Sequence, residues 1–417
     1  MDKYQLDGLI FDWNTLASPP PPRRLELNDE TLRDGLQSPS IQDPPLDVKL
    51  KALHYMVDLG IEAANIGMPC TGPNPFADTL ALAKAVASEN LPIRVNCAAR
   101  TVISDVEPIV EISQQAGIPV EASTFLGSSA IRSLAEGWEL DRLLKHTEEA
   151  VSFAVKNGIP SMYVTEDTTR SNPETLKKLY RTAIDSGATA ITLADTVGYA
   201  TPDGVRNLIY FIRRHVVKPD ENIRIDYHGH NDRGLAVANS LFAYEAGADC
   251  VHGSILGIGE RVGNAPLDQL LVNMRVMNWI ERDMHALSEY CKLVQEHCQA
   301  PLPYNYPVMG HDAFRTSTGV HASAIVKAEE KGAEWLANRV YSGVPSDWFG
   351  RSQLIEIGPM SGKSNVIHWL KRHQIEATDD LVTGLLEHAK QAKAVLSEDE
   401  ILKFIESKKG KGEAQHA

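Results

Sequence analysis

Eight short apolar runs, each followed by a longer stretch with helical spacing, set the strongest limit on what this chain can fold into. The runs are LELND (25–29), IEAANIG (61–67), IRVNCAA (93–99), VEASTF (120–125), SMYVTED (161–167), AITLADT (190–196), IRIDYHGH (223–230) and CVHGSIL (250–256). Eight strands alternating with helices predict an α/β fold, a closed parallel (β/α)8 TIM barrel. Several helical stretches end in glycine just before the next strand, in DLGIEA, QAGIPVEA, KNGIPSMY, DSGATAIT and EAGADCVH. Glycine there can take the left-handed conformation that stops a helix. A doubly wound open sheet shares this rhythm, but its first-turn GxGxxG is missing, and the glycine-rich GIGERVG follows the eighth run.

The same reading divides the chain. SPPPP at 18–22 cannot continue a helix or a central strand, so residues 1–24 read as a leader outside the main fold. The barrel is expected over 25–285. Beyond it the strand rhythm stops, and APLPYNYPVMGHD (300–312) interrupts helical patterns that form an accessory region over 286–405. The last residues, 406–417, include SKKGKGEAQHA, have almost no apolar content, and are expected to be a disordered tail.

Composition narrows the partners. Across 417 residues the net charge is −14, which argues against a nucleic-acid partner, because binding a phosphate backbone rests on clustered Lys and Arg. Five cysteines without a CxxC fit a reducing compartment, and cytoplasm is the expectation. The N-terminal segment carries charges where a signal peptide is apolar, and no run of about 18 apolar residues occurs, so neither secretion nor membrane spanning is expected. Small molecules are the expected partners.

The chemistry gathers at strand ends. Side chains two apart on a strand share a face, so His228 and His230 project together from the C-terminal end of the seventh strand, where barrel active sites lie. The first strand runs into LNDETLRDGLQ, which supplies Asp29, Glu30, Arg33, Asp34 and Gln37; strands seven, eight and one are neighbours, and GIGERVGN after the eighth brings Glu260 and Asn264. Two nitrogens with two or more oxygens suit a divalent metal, Mn, Mg, Zn, Co or Fe, with positions open for substrate. The plainer alternative is that Asp34 and Glu30 cap the first helix.

DETLRDGLQ, HGHNDRGLAVAN and GIGERVGNAPLDQL resemble the three signature segments of the DRE-TIM metallolyase superfamily, in its Claisen-condensing branch of 2-isopropylmalate, homocitrate and citramalate synthases. DAFRTSTGVHASAIVK resembles the accessory segment that in those synthases carries a histidine over the active site. The resemblance implies condensation of acetyl-CoA with a 2-oxo acid and release of CoA. It makes Asp34, His228, His230 and Asn264 the ligands of a divalent Mn, Mg, Zn or Co, and gives Arg33 the polarisation of the substrate ketone. Thr196 would bind the 2-oxo acid carboxylate and Glu166 would lie near the reacting carbons, with Gln37 and Arg132 completing the substrate-binding set. His321, partnered by Glu260 and with Tyr341 beside it, would move the proton; without the surrounding TGVHAS, His321 reads as an ordinary histidine. The resemblance also implies a homodimer in which one subunit's accessory region covers the other's barrel. No further α/β unit remains for a leucine-binding regulatory domain, so control by such a domain is not expected.

The pattern departs from those synthases in places. RDGLQ has Leu36 where they usually read RDGEQ, and this form resembles the lyase branch typified by hydroxymethylglutaryl-CoA lyase, which keeps carbon–carbon cleavage as the alternative activity. STF (123–125) and VTED (164–167) stand where 2-isopropylmalate synthases show HTF and SPED. GSSAIRSLAEG (127–137) resembles the homocitrate synthase segment whose arginine pairs with the distal carboxylate of 2-oxoglutarate, and Arg132 is the matching position. A fork of two N–H donors suits a carboxylate, although a surface arginine at a helix start is the competing reading. Met162 stands where homocitrate synthases often place a basic residue. A barrel that lost its chemistry and serves as a scaffold is the non-enzymatic reading; intact Arg33, Asp34, His228, His230, Asn264 and His321 argue against it.

Overall fold

The computed structural model describes residues 9–10 and 25–413, with side chains through 408. Nearly all of the expected leader therefore lies outside the described residues. Eight parallel strands close in chain order: β1 (Glu26–Asp29), β2 (Ala63–Asn65), β3 (Arg94–Arg100), β4 (Val120–Gly127), β5 (Ser161–Glu166), β6 (Ala190–Asp195), β7 (Arg224–Gly229) and β8 (Cys250–Gly253). The barrel expected from the eight runs is the fold, and the open sheet is not. Closure rests on β1 pairing with β8, Glu26 opposite Cys250 through Asp29 opposite Gly253.

The glycine stops behave as expected. Gly117 ends the helix Ile103–Ala116 in the left-handed region, φ 72° and ψ 21°, and donates its N–H to Ser113 O at 2.9 Å. Gly60, Gly158, Gly187 and Gly247 also have positive φ.

The chain divides into compact units at 301/302 rather than at 285/286. The helix His285–His297 belongs to the barrel unit because Leu287, Tyr290, Cys291, Leu293 and Val294 are buried there. Tyr290 is the tie: its ring lies 5.9 Å from that of Tyr55, and its hydroxyl donates to Asp29 Oδ2 at 3.0 Å.

From Leu302 onward the second unit is mainly helical, with helices Gly319–Glu330, Glu334–Ala337, Lys363–Arg372, Asp379–Gln391 and Glu398–Glu413. It also holds a short parallel pair not expected from the sequence, β9 (Arg315–Thr316) with β10 (Leu354–Ile355). One apolar cluster centres on Val366, Leu370, Leu385 and Ile401, and a smaller one on Ala322, Ile325 and Ile355. The last helix runs through Glu413, so the tail expected from 406 is helical up to there: Ile401 and Ile405 anchor the helix in the larger cluster. No helix of the described residues is long and apolar enough to cross a membrane.

Candidate active site

Alternation along β7 turns Arg224, Asp226 and His228 to one face, and His230 continues it one residue past the strand. His230 forms an isolated bridge with Asn264, which returns the loop after β8 to the same place. Asp34 arrives from the turn after β1. Its Oδ2 lies 3.7 Å from His228 Nε2 and 3.7 Å from His230 Nε2, and the two ring nitrogens are 3.4 Å apart. Asn264 donates Nδ2 to Ile258 O at 3.0 Å, which fixes its carboxamide and leaves Oδ1 free of partners. Gly259 permits this approach: a side chain there would collide with Asn264 Nδ2 and come within 3.4 Å of Asp34 Oδ2.

These residues fit a metal ion. Asp34 Oδ2 and Asn264 Oδ1 are buried acceptors without hydrogen-bond partners, a costly arrangement unless a cation completes it. Burial pushes the His228 imidazole down to about 3, against the pull of Asp34, and lowers His230 likewise. Burial opposes ionisation of Asp34, but the Arg33 guanidinium beside it holds the carboxyl below its usual range. Neutral imidazoles beside an ionised carboxylate are the protonation states that ligation requires. The capping alternative fails, because Asp34 stands at the N-cap of the short turn Gly35–Gln37 and makes no side-chain cap.

Arg33 lies against this cluster. Its Nε and Nη2 donate to Glu30 Oε2 at 3.0 and 2.6 Å, and Nη1 donates to Asp34 Oδ1 at 3.1 Å. Burial resists the charge on Glu30, yet Arg33 and His252 hold its carboxyl well below the ordinary range. A cavity of about 330 Å³ opens beside them, lined by Arg33, Asp34, Gln37, Glu166, Thr196, His228, His230 and Glu260, with Ala98, Ser123, Phe125 and Val164 on its less polar wall. Thr196 Oγ1 accepts the Asp167 N–H at 2.8 Å, which leaves its O–H able to donate to a ligand. Burial raises the Glu166 carboxyl, against Arg132 and Arg33.

Arg132 is not among the cavity's lining residues; it pairs with Glu136 at 3.2 Å and lies over the Trp138 ring at 5.5 Å. His321 and Tyr341 belong to the second unit, where their rings stack at 4.0 Å, with 27° between planes. Met162 is buried, with Arg224 Nη2 at 3.5 Å from its sulfur.

The structure adds three residues to which the sequence assigned no such role: Glu30 as the anchor of Arg33, His252 behind it, and Arg261. Arg261 takes a positive φ of 57°, pairs with Asp232 at 2.8 Å and donates to Thr196 O at 2.5 Å. Its place in GIGER, next to Glu260, was the available signal.

The HMGL-like family pattern matches residues 24–295. Homocitrate synthase AksA of Methanopyrus kandleri is 30% identical over 373 residues, covering 88% of this chain and 88% of its own. The 2-isopropylmalate synthase of Sediminispirochaeta smaragdinae is 30% identical over 392 residues, 91% of this chain and 74% of its own. Among solved structures, the HMG-CoA lyase of Bacillus subtilis superposes with a TM-score of 0.57 at 20% identity, over 69% of this chain and 98% of that one, a likeness of fold. Matched in family pattern across its barrel and in sequence to synthases over most of its length, the chain belongs to the HMGL-like family, in the Claisen-condensing branch of the DRE-TIM metallolyases.

Proposed function

We infer that the protein is an acyltransferase that condenses acetyl-CoA with a 2-oxo acid and releases CoA, in amino-acid biosynthesis. The observation that carries this reading is the meeting of Asp34, His228 and His230 within 4.8 Å of one another, with Arg33 bonded to Asp34 and lining the same cavity. Asp34, His228, His230 and Asn264 would hold a divalent metal, Mn, Mg, Zn or Co, and that ion would supply Lewis-acid polarisation of the acceptor's keto group. Arg33 places a guanidinium where negative charge develops on that oxygen. The Thr196 hydroxyl and Gln37 bind the acceptor carboxylate, and Glu166 borders the carbons that join. The acceptor's side chain runs toward Ala98, Ser123, Phe125 and Val164.

His321, with Tyr341 stacked on it and Glu260 as partner, takes a proton from the acetyl methyl group. The enolate carbon then attacks the keto carbon, the keto oxygen gains a proton, and water cleaves the thioester to a carboxylate and free CoA thiol. The roles of His321 and Tyr341 rest on the resemblance of their segment to the synthase accessory region, as do the homodimer and the cytoplasmic location proposed with them.

The experiment is thiol release from acetyl-CoA by the Mn- or Mg-loaded protein, across pyruvate, 2-oxoisovalerate, oxaloacetate and 2-oxoglutarate. Release with one acid, lost in His228→Ala, supports condensation and names the acceptor. Leu36, the lyase-like position of RDGLQ, favours the second reading: formation of acetyl-CoA or pyruvate from a larger hydroxyacyl substrate, with no thiol release, would establish cleavage instead.

A further inference from the structure

Behind the candidate active site, the barrel interior holds a continuous string of charged side chains where such interiors are ordinarily apolar. Arg224, at the start of β7, gives Nε and Nη2 to Asp226 at 2.8 and 3.1 Å. Asp226 Oδ2 meets His252 Nε2 at 3.2 Å. The other ring nitrogen of His252, Nδ1, stands 3.1 Å from Glu30 Oε1, an ion-pair contact off the line of a hydrogen bond. Glu30 then grips Arg33 through Oε2. Asp226, His252 and Glu30 are 1%, 2% and 1% exposed, so bulk solvent does not screen this bridge.

The two oxygens of Glu30 have separate tasks. Oε2 takes both donors from Arg33, while Oε1 accepts Asn28 Nδ2 at 2.7 Å and faces His252. Without His252, two buried carboxylates would face each other with no imidazole between them, and Glu30 would keep only Asn28 on its far oxygen. The carboxylate would turn, and the planar fork of Arg33 would turn with it.

We propose that His252 is a positioning residue for the condensation: by bridging Asp226 to Glu30 it locks the carboxylate that presents the Arg33 guanidinium to the acceptor's keto oxygen. The proposal rests on the function inferred above. It gives the interior string a purpose that packing alone does not, since every link aims at Arg33, which both lines the cavity and bonds to Asp34.

The test is a double-variant cycle on the full-length, Mn-loaded protein, reading steady-state thiol release and bound Mn. His252→Gln is expected to lower kcat about 10- to 100-fold, as a misplaced catalytic group does, with the acetyl-CoA KM and the Mn content unchanged. In an Arg33→Lys background the same substitution should cost less than about threefold, because residues acting through one another are not additive. A residue that merely supports the fold would lower both backgrounds by the same factor, and that result overturns the proposal. So does an unchanged kcat, or a loss of Mn, which would make His252 a ligand together with Glu30 and His228. If His252→Gln yields no folded protein, Glu30→Gln cuts the same bridge at its other end, and the same cycle decides. Absence of thiol release by the unaltered enzyme with every 2-oxo acid overturns the functional reading, and the role of His252 with it, and is distinct from an active enzyme whose two variants multiply.

Discussion

Asp34 Oδ2 stands 3.7 Å from the Nε2 atoms of both His228 and His230 and has no hydrogen-bond partner, although its residue is only 4% exposed. Three ligand-type atoms arranged around one point predict metal-linked stability. Chelator treatment should abolish thiol release and added Mn should restore it. At a free metal concentration 100 times Kd, the folded chain should gain about 2.7 kcal/mol, seen as a rise in Tm. Asp34→Asn and His228→Ala should lose that rise; if either retains it, the ion is bound elsewhere.

The gathering of these three side chains was legible because it follows strand periodicity. IRIDYHGH places His228 and His230 on one face by alternation alone, and chain order in an eight-stranded barrel brings β7, β8 and β1 together. The bridge behind them was not legible. His252 and Glu30 meet only because β8 closes on β1, and a lone histidine in CVHGSIL gives no sign of which acid it will face. The boundary at 285 failed for a related reason: the tie of Tyr290 to Asp29 spans 261 positions, and local pattern does not record it. The tail failed because two isoleucines, Ile401 and Ile405, suffice to seat a helix whose later residues are polar.

Arg33 should be irreplaceable by lysine. An ammonium keeps the charge, but it cannot give Glu30 two donors and Asp34 a third from one rigid plane. Arg33→Lys is expected to lower kcat by about 10²- to 10³-fold, the usual effect of removing a group aimed at a developing oxyanion, while Mn binding persists. A loss of bound Mn instead would mean that Arg33 serves the metal site rather than the ketone.

Arg132 separates two classes of acceptor. As the structure stands, its guanidinium is committed to Glu136 and Trp138, and the cavity wall at Ala98, Phe125 and Val164 is uncharged. A 2-oxo dicarboxylate would need Arg132 to exchange Glu136 for the distal carboxylate, so Arg132→Ala should raise its KM by about 10-fold or more, in keeping with a charged hydrogen bond worth 1.5–3 kcal/mol. For an acceptor with an uncharged side chain the same substitution should leave KM within about twofold, since surface changes are usually small. Steady-state KM for 2-oxoglutarate and 2-oxoisovalerate in both proteins distinguishes the two.

The stacked pair in the second unit makes a graded prediction. With His321 and Tyr341 rings at 4.0 Å, Tyr341→Phe keeps the stack and Tyr341→Ala removes it. His321→Ala should lower kcat by about 10²- to 10⁴-fold, the range for loss of a positioned acid or base. Tyr341→Phe should retain more activity than Tyr341→Ala. Equal activity in the two tyrosine variants would show that the ring itself contributes nothing to placing His321.

Asp29 predicts a stability change with pH that runs opposite to that of most carboxylates. Burial raises its pKa from 3.8 to about 6, against hydrogen bonds from Thr31 and Tyr290. Below the unfolded value both states carry the proton, and the stabilisation is fully present. Between about pH 4 and 6 the unfolded chain ionises while the folded chain keeps its proton, so stability falls as pH rises, and the loss levels off above 6 at about 3 kcal/mol for about two pKa units at 1.36 kcal/mol each. Asp29→Asn removes the titration yet can still accept the Thr31 N–H, and its amide can donate to the Tyr290 hydroxyl, which is able to accept. Urea unfolding of both proteins from pH 4 to 7 should therefore show the variant gaining about 2–3 kcal/mol on the wild type across that range. A difference that stays flat with pH would show that burial does not hold the proton on Asp29 in the folded chain.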